Sequence, residues 1–265
     1  MGLVKIRLLF FFILATASLV GLAPGIIVIS PDETQCQAPP PDGSPWNYVA
    51  GLEDKAGSGA TGVYLGNRYL LTANHLDNDI HVVHLNGTNY ATDDTFRPIA
   101  LEGTDLRVFR MATDPGLPPL PLISVTESEF DKPCTMIGYG VGKGAPAPNQ
   151  GWNWGDEPTR LKRWATSKTS AKYHFPRDSR IPCIQTTFDF MAGPTTGQIT
   201  VGDAGCGLFE KLGGVWKLVG IGVATDLDKQ ALYDTDLATP GFQPDHSYFA
   251  PIHRFVIQLK RIVAG

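Results

Sequence analysis

An all-β chain in two halves, closed by one C-terminal helix, is the fold this sequence predicts. Three observations carry it. From Trp46 onward, apolar runs of strand length alternate with turn signals, with no room for a helix in any of them. Glycine (29) and proline (21) are abundant among 265 residues, which suits many short strands and turns better than a helical bundle. The closing segment, Ile-His-Arg-Phe-Val-Ile-Gln-Leu-Lys from Ile252, has the apolar spacing of a helix, expected over about 251–263.

Taken in order, Lys5 and Arg7 precede the apolar run Leu8 to Leu14 and the small-x-small triplet Ala15-Thr16-Ala17, the pattern of an export signal over residues 1–17. Apolar character continues to Ile29, so the alternative is an uncleaved membrane anchor over residues 8–29. Pro24-Gly25 interrupts that run and favours the cleaved signal. Either way, the folded part is expected outside the cytoplasm, secreted or periplasmic. Residues 18–45 read as a Pro-rich lead-in without structure of its own. In the first half, about 46–121, strands are expected around Gly62 to Leu65, Tyr69 to Thr72, His81 to Leu85 and Leu106 to Phe109. A Pro-rich bridge from Asp114 to Pro121 leads to a second half, about 122–250. Its strands fall around Cys134 to Gly140, Arg163 to Tyr173, Cys183 to Phe190, Gly207 to Glu210 and Trp216 to Ala224. Between the first two, Val141 to Pro158 reads as one long loop, and Asp226 to Pro244 as a turn-rich stretch.

A hydrophobic content of 43% is enough for a sizeable core. A net charge of −4, with no basic block, argues against nucleic acid or an anionic membrane surface as partner. Cys36, Cys134, Cys183 and Cys206 allow two disulfides in three connectivities, or stand as buried free thiols; the sequence leaves both open.

Three short motifs carry chemistry. Leu71-Thr72-Ala73-Asn74-His75 ends one strand-like run, Asp105-Leu106 opens another, and Gly202-Asp203-Ala204-Gly205 precedes a third. The order is histidine, aspartate, nucleophile loop, with Cys134-Thr135-Met136-Ile137-Gly138-Tyr139-Gly140 between the last two. On these motifs the region from about Trp46 to Ile262 resembles the chymotrypsin/trypsin-like serine proteases, nearest to secreted bacterial members with compact loops. The resemblance implies one peptidase domain, 46–265, of two packed six-stranded antiparallel β-barrels with a C-terminal helix. It also implies peptide-bond hydrolysis on a peptide or protein substrate, without cofactor or metal, by a monomer.

The resemblance places His75 as general base and Asp105 as the acceptor that fixes its tautomer. Position 204 is that of the nucleophile, serine in the family and Ala204 here. The N–H groups of Gly202 and Ala204 would form the oxyanion hole, and Asp203 would brace the loop from beneath. Gln198, six residues before Ala204, falls at the base of the specificity pocket, and Val223-Ala224-Thr225 aligns with the strand that presents Ser-Trp-Gly to a substrate backbone. A neutral Gln198 gives no reason to select Lys or Arg, although Asp226 near the pocket wall could supply a charge. Other departures are Cys206-Gly207 after the nucleophile loop, Glu210 and Leu76 where family cysteines stand, and no Ile-Val-Gly-Gly-like start near Val49.

Other chemistries fare worse. Cys206, two residues beyond position 204, would lie roughly 6–7 Å along an extended strand, too far to replace the nucleophile. His75, Asp77, Asp79, His81 and His84 cluster, but His81 and His84 point to opposite faces of a strand and no metal-ligand spacing is present. Arg107 reads as an exposed stem, and Trp152 and Trp154 as aromatics packing a loop. Two functions of different class remain: an endopeptidase scaffold lacking only the serine hydroxyl, and a non-catalytic module binding peptides in the same cleft.

Overall fold

The computed structural model describes residues 25–76, 79–148, 150–177, 179–226, 229–233 and 244–265. The export signal 1–17, the lead-in up to residue 24, Asp77, and residues 227–228 and 234–243 of the turn-rich stretch lie outside the described residues.

A short strand, β1 (Ile27–Val28), precedes the first sheet. That sheet holds β2 (Val49–Asp54), β3 (Gly59–Gly66), β4 (Tyr69–Ala73), β5 (Ile80–Leu85), β6 (Thr88–Ala91), β7 (Ile99–Leu101) and β8 (Leu106–Arg110) in the antiparallel order β6-β5-β2-β3-β4-β8-β7. It curls until the ends of β6 and β8 meet at a Thr92–Met111 bridge. The second half contains β9 (Pro133–Gly138), β10 (Lys143–Pro146), β11 (Gly151–Trp154), β12 (Arg163–Lys168), β13 (Ile184–Thr187) and β14 (Gly197–Gln198). It is completed by β15 (Gly207–Leu212), β16 (Val215–Thr225), β17 (Gln230–Leu232) and β18 (His246–Pro251). Six of these form an antiparallel sheet, β12-β9-β15-β16-β18-β13, whose edges are joined by a Thr169–Thr186 bridge. One helix, α1 (Val256–Ala264), closes the chain and buries Val256 and Leu259. The all-β class with a C-terminal helix is as the sequence implies; the first sheet has seven strands rather than six, because Ile99–Leu101 pairs with the free edge of β8.

Local chemistry fixes several of these pairings. Asn67-Arg68, Asn86-Gly87 and Gly213-Gly214 each have positive φ at both residues, the two-residue turn whose twist suits a hairpin. They join β3 to β4, β5 to β6 and β15 to β16. Both faces of the central strands are buried. Val63, Leu71, Leu106 and Val108 pack in the large core shared with Ile137, Leu208, Ile221 and Phe249 of the second sheet. Their neighbours Tyr64, Leu70 and Phe109 turn the other way, into a smaller core with Leu52, Val83 and Leu85. Such two-faced burial explains why these runs read as continuously apolar rather than alternating.

Two expectations are corrected and one open alternative is decided. The segment 141–158 is not one loop: β10 and β11 pair, and β11 pairs with β17, around a Trp152 that packs on Tyr233 and carries the Lys143 ammonium 3.6 Å above its ring. The described lead-in is part of the fold rather than a tail. Ile26, Ile27 and Val28 are fully buried, β1 pairs with β14, and buried Glu33 meets Arg163 at 3.2 Å and Lys143 at 3.8 Å. Finally, all four cysteines are free and buried, so no disulfide forms. Cys134 sits opposite Glu210, four residues along the chain from Cys206, or about 13 Å, well beyond bridging distance.

Glu210 is only 1% exposed and neither carboxylate oxygen has a hydrogen-bond partner. Burial pushes its pKa up to about 7, with Thr169 and Lys132 offsetting only part of the cost. A folded-state pKa above the unfolded value contributes stability that is complete below about pH 4.5 and is lost as pH rises through about 7. Glu210→Gln should remove this dependence. Chemical denaturation from pH 4 to 8 should show the unmodified protein losing on the order of 3 kcal/mol relative to the variant. Parallel pH profiles for the two proteins would contradict this account of Glu210.

Candidate active site

The pairing of β4 with β8 brings two predicted residues together. Ala73 lies opposite Leu106, and the Asn74 N–H donates to the Asp105 carbonyl at 3.0 Å, so the residues flanking the two strands meet. The His75 N–H donates to Asp105 Oδ1 at 2.7 Å, and His75 Nδ1 lies 2.5 Å from Asp105 Oδ2. A carboxylate at that distance places the ring proton on Nδ1 and leaves Nε2 as the lone-pair nitrogen. Arg107 is not an exposed stem. Its Nε donates to the Asn74 side-chain Oδ1 and its Nη1 to the Leu76 carbonyl, so it ties together the residues on both sides of His75.

The Gly202–Gly205 loop is organised by Asp203, which is fully buried. Its Oδ1 accepts from the Gly140 N–H at 2.6 Å. Its Oδ2 accepts from the Thr200 N–H at 2.9 Å, the Thr200 hydroxyl at 3.1 Å and the Ile26 N–H at 3.3 Å. Burial pushes the Asp203 pKa up to about 6, and these donors recover part of that cost. The loop turns on Gly202 and Gly205, with φ of +88° and +92°. At Gly205 a side chain is impossible on a second ground, since a Cβ would strike the Thr61 carbonyl and the Thr72 hydroxyl.

Thr61 joins the two sheets at this loop. Its N–H donates to the Ala204 carbonyl (3.0 Å), its hydroxyl to the Gly202 carbonyl (2.8 Å), and it accepts at that hydroxyl from the Tyr139 N–H (2.9 Å). On the other flank, the Gly205 N–H donates to the Gly222 carbonyl of β16. The Asp203 and Gly205 N–H groups and the Gly202, Asp203 and Ala204 carbonyls are thus engaged, and two donors of the loop are left over. Among the described residues, the N–H groups of Gly202 and Ala204 donate to no protein acceptor. Unpaired backbone donors in a packed loop are what a developing oxyanion requires.

The remaining predicted residues are placed as follows. Gln198 is completely buried, donates from Nε2 to the Gln230 carbonyl at 3.4 Å and keeps Oε1 without a partner. Val223 and Thr225 lie on β16, half-buried, and Val223 borders a cavity of about 370 Å³ shared with Asn74, Asp105, Arg177 and Cys183. Asp226 is already committed: it accepts from the His246 N–H, lies 2.5 Å from His246 Nδ1 and accepts from the Tyr248 hydroxyl. Burial would raise its pKa, but these contacts outweigh burial and hold it below the ordinary value. Cys206 is fully buried, and a Cβ on Gly222 would come within 2.5 Å of its sulfur. Burial raises that thiol well above its usual range, which fits packing rather than attack.

Sequence reasoning missed Thr61, Ile26 and the clamping role of Arg107. Thr61 lies in a strand without a motif, and the partners of Arg107 are set by strand register rather than by its neighbours in sequence. Ile26 had a signal, since the β-branched run Ile26-Ile27-Val28-Ile29 has strand rather than leader character.

No family profile and no curated protein matches this sequence. Solved structures do. Rv3671c from M. tuberculosis H37Rv, a serine-to-alanine mutant in its inactive form, superposes with a TM-score of 0.52 at 13% identity, over 86% of this chain and 95% of that one. The HtrA-type protease AlgW, a serine-to-alanine variant with a tripeptide, superposes with a TM-score of 0.52 at 19% identity, over 82% of this chain and 60% of that one. At these identities the likeness is one of fold, and the fold is that of the chymotrypsin-like serine proteases.

Proposed function

We propose that this chain is an exported trypsin-like endopeptidase scaffold that lacks only the nucleophilic hydroxyl. The observation that carries the reading is the pair of unpartnered N–H groups at Gly202 and Ala204, on a loop braced by Asp203, with a complete His75–Asp105 pair. In this reading a peptide lies by strand addition along Val223–Thr225, its acyl side on β16, with the scissile carbonyl directed at the two N–H groups. A serine at 204 would give its proton to His75 Nε2 as it attacked, and the imidazolium would return it to the leaving amine. Asp105 would hold the tautomer and stabilise the charged ring. With Ala204 in place, no acyl intermediate forms, and turnover should fall on the order of a million-fold below that of a serine form.

The pocket reading follows from Gln198 and Asp226. Gln198 is neutral, and Asp226 already satisfies His246 and Tyr248, so neither offers a free carboxylate to a basic side chain. Export rests on the Lys5/Arg7 and Ala15-Thr16-Ala17 pattern, with cleavage after Ala17.

A second reading keeps the chain non-catalytic, as a peptide-binding module. Ala204 itself favours it, because the N–H donors and the β16 backbone do not depend on the missing hydroxyl. AlgW, solved as a serine-to-alanine variant with a tripeptide, is an example of such a form with a peptide.

Ala204→Ser should make the folded protein react with a serine-directed peptidyl phosphonate, while the unmodified chain stays unlabelled. A folded Ala204→Ser variant that resists the probe, beside a known protease that is labelled, would contradict the scaffold reading. In the Ala204→Ser background, Asp105→Asn should lower kcat by about 10⁴-fold through loss of the correct histidine tautomer. A change of less than tenfold would show that Asp105 does not hold that role. Profiling of the same variant on a peptide library should show no exclusive preference for Lys or Arg before the cut; exclusive basic cleavage would disprove the pocket assignment.

A further inference from the structure

Arg160 is held against the nucleophile loop on the flank away from β16. Its Nε donates to the Tyr139 carbonyl at 3.1 Å and its Nη2 to the Ala60 carbonyl at 3.3 Å, so the guanidinium bridges both sheets. The Nε atom lies only 3.0 Å from where a Cβ on Gly202 would stand. A Cβ on Gly59 would overlap the guanidinium, so the sequence leaves open the space that the cation fills. The two carbonyls occupy one N–H each, which leaves the Nη1 pair and one Nη2 hydrogen of the five donors. The only carboxylate paired with it among the described residues is Glu157, at 3.5 Å from Nη1 and 63% exposed, against 17% for Arg160. An ion pair so exposed on one side is weak and easily exchanged. A fixed fork of donors beside the Gly202–Gly205 loop, answered only by an exposed surface carboxylate, is a receptor for a better-placed carboxylate.

We propose that Arg160 makes this cleft selective for peptides with Asp or Glu at the first or second residue on the leaving side of the scissile bond. The inference rests on the peptide placement given above, with the acyl side along β16. A chain that follows β16 and then passes the N–H groups of Gly202 and Ala204 continues toward Gly59 and Arg160. The incoming carboxylate displaces Glu157 from Nη1, while Tyr139 and Ala60 keep the guanidinium plane in place. No bond is made or broken; the selectivity is electrostatic and declines with added salt.

The test compares peptides that differ only by Glu or Gln at those two positions. Ala204→Ser should cleave the Glu peptides with a kcat/KM roughly tenfold or more above their Gln partners at low salt. The Glu/Gln ratio, taken within each protein, should fall to near one in Arg160→Gln and rise in Glu157→Gln, which removes the competing carboxylate. Because Glu157 is at the surface, its variant decides the matter if Arg160→Gln fails to fold. The unmodified Ala204 chain provides a second readout, the affinity for the same fluorescent peptides by anisotropy. Tighter binding of Glu peptides, beside an inert Ala204→Ser, would sink the endopeptidase reading and uphold Arg160. A ratio near one in both assays, a ratio indifferent to both variants, or no binding and no cleavage at all would overturn the proposal.

Discussion

One buried carboxylate organises the centre of this protein. Asp203 is fully buried and draws donors from three separate parts of the chain: Gly140 just beyond β9, Thr200 just before the loop, and Ile26 near the start of the described chain. A buried charge of this kind is expensive unless its lone pairs are filled, and removal of one donor leaves the rest of the penalty in place. The need to satisfy Asp203 therefore dictates much around it. Gly138 and Gly140 must lack side chains because a Cβ on either would strike its oxygens, and the strand at Ile27–Val28 must lie where its leading N–H can reach.

The second constraint is the seam between the sheets. Thr61 spends both its N–H and its hydroxyl on the nucleophile loop, and accepts from Thr72 at its carbonyl, three residues before His75. Histidine and loop are thus referenced to the same residue, one through β4 and the other directly. Lys162 ties the seam elsewhere, donating to the Trp46 and Val49 carbonyls with its ammonium over the Trp46 ring. Burial pulls that lysine down to about 7, since it meets carbonyl oxygens and an aromatic face there and no carboxylate among the described residues offsets the lost hydration. Such a frame explains how the loop keeps Gly202 and Ala204 N–H groups unpaired without a serine to anchor it.

Much of this was legible in the sequence, for physical reasons that differ by region. Runs such as Tyr69 to Thr72 and His81 to Leu85 are short, apolar and bounded by turn residues, so their strands were readable. His75, Asp105 and the Gly202–Gly205 loop were readable as a set because their order and local motifs are specific. Long-range partnership was not. Nothing near Arg107 announces that it clamps Asn74 and Leu76, and nothing near Arg160 announces Gly202, because such contacts depend on sheet register rather than spacing. Proline content suggested an unstructured lead-in, yet Glu33 is buried beside Arg163, a pairing invisible from either neighbourhood. The stretch 141–158 misled in the same way: its strands are short and depend on β17, some 80 residues later.

In the function proposed above, Asp203 holds Gly202 and Ala204 with their N–H groups free for an incoming oxygen. Backbone amide NMR of the unmodified chain, titrated with a peptide ending in a free carboxylate, tests it most directly. The Gly202 and Ala204 amide protons should start without the signature of a hydrogen bond and move together downfield as peptide is added, and Asp203→Asn should abolish their joint response. Two amides already bonded in the free protein, or unmoved by a peptide that demonstrably binds, would contradict it.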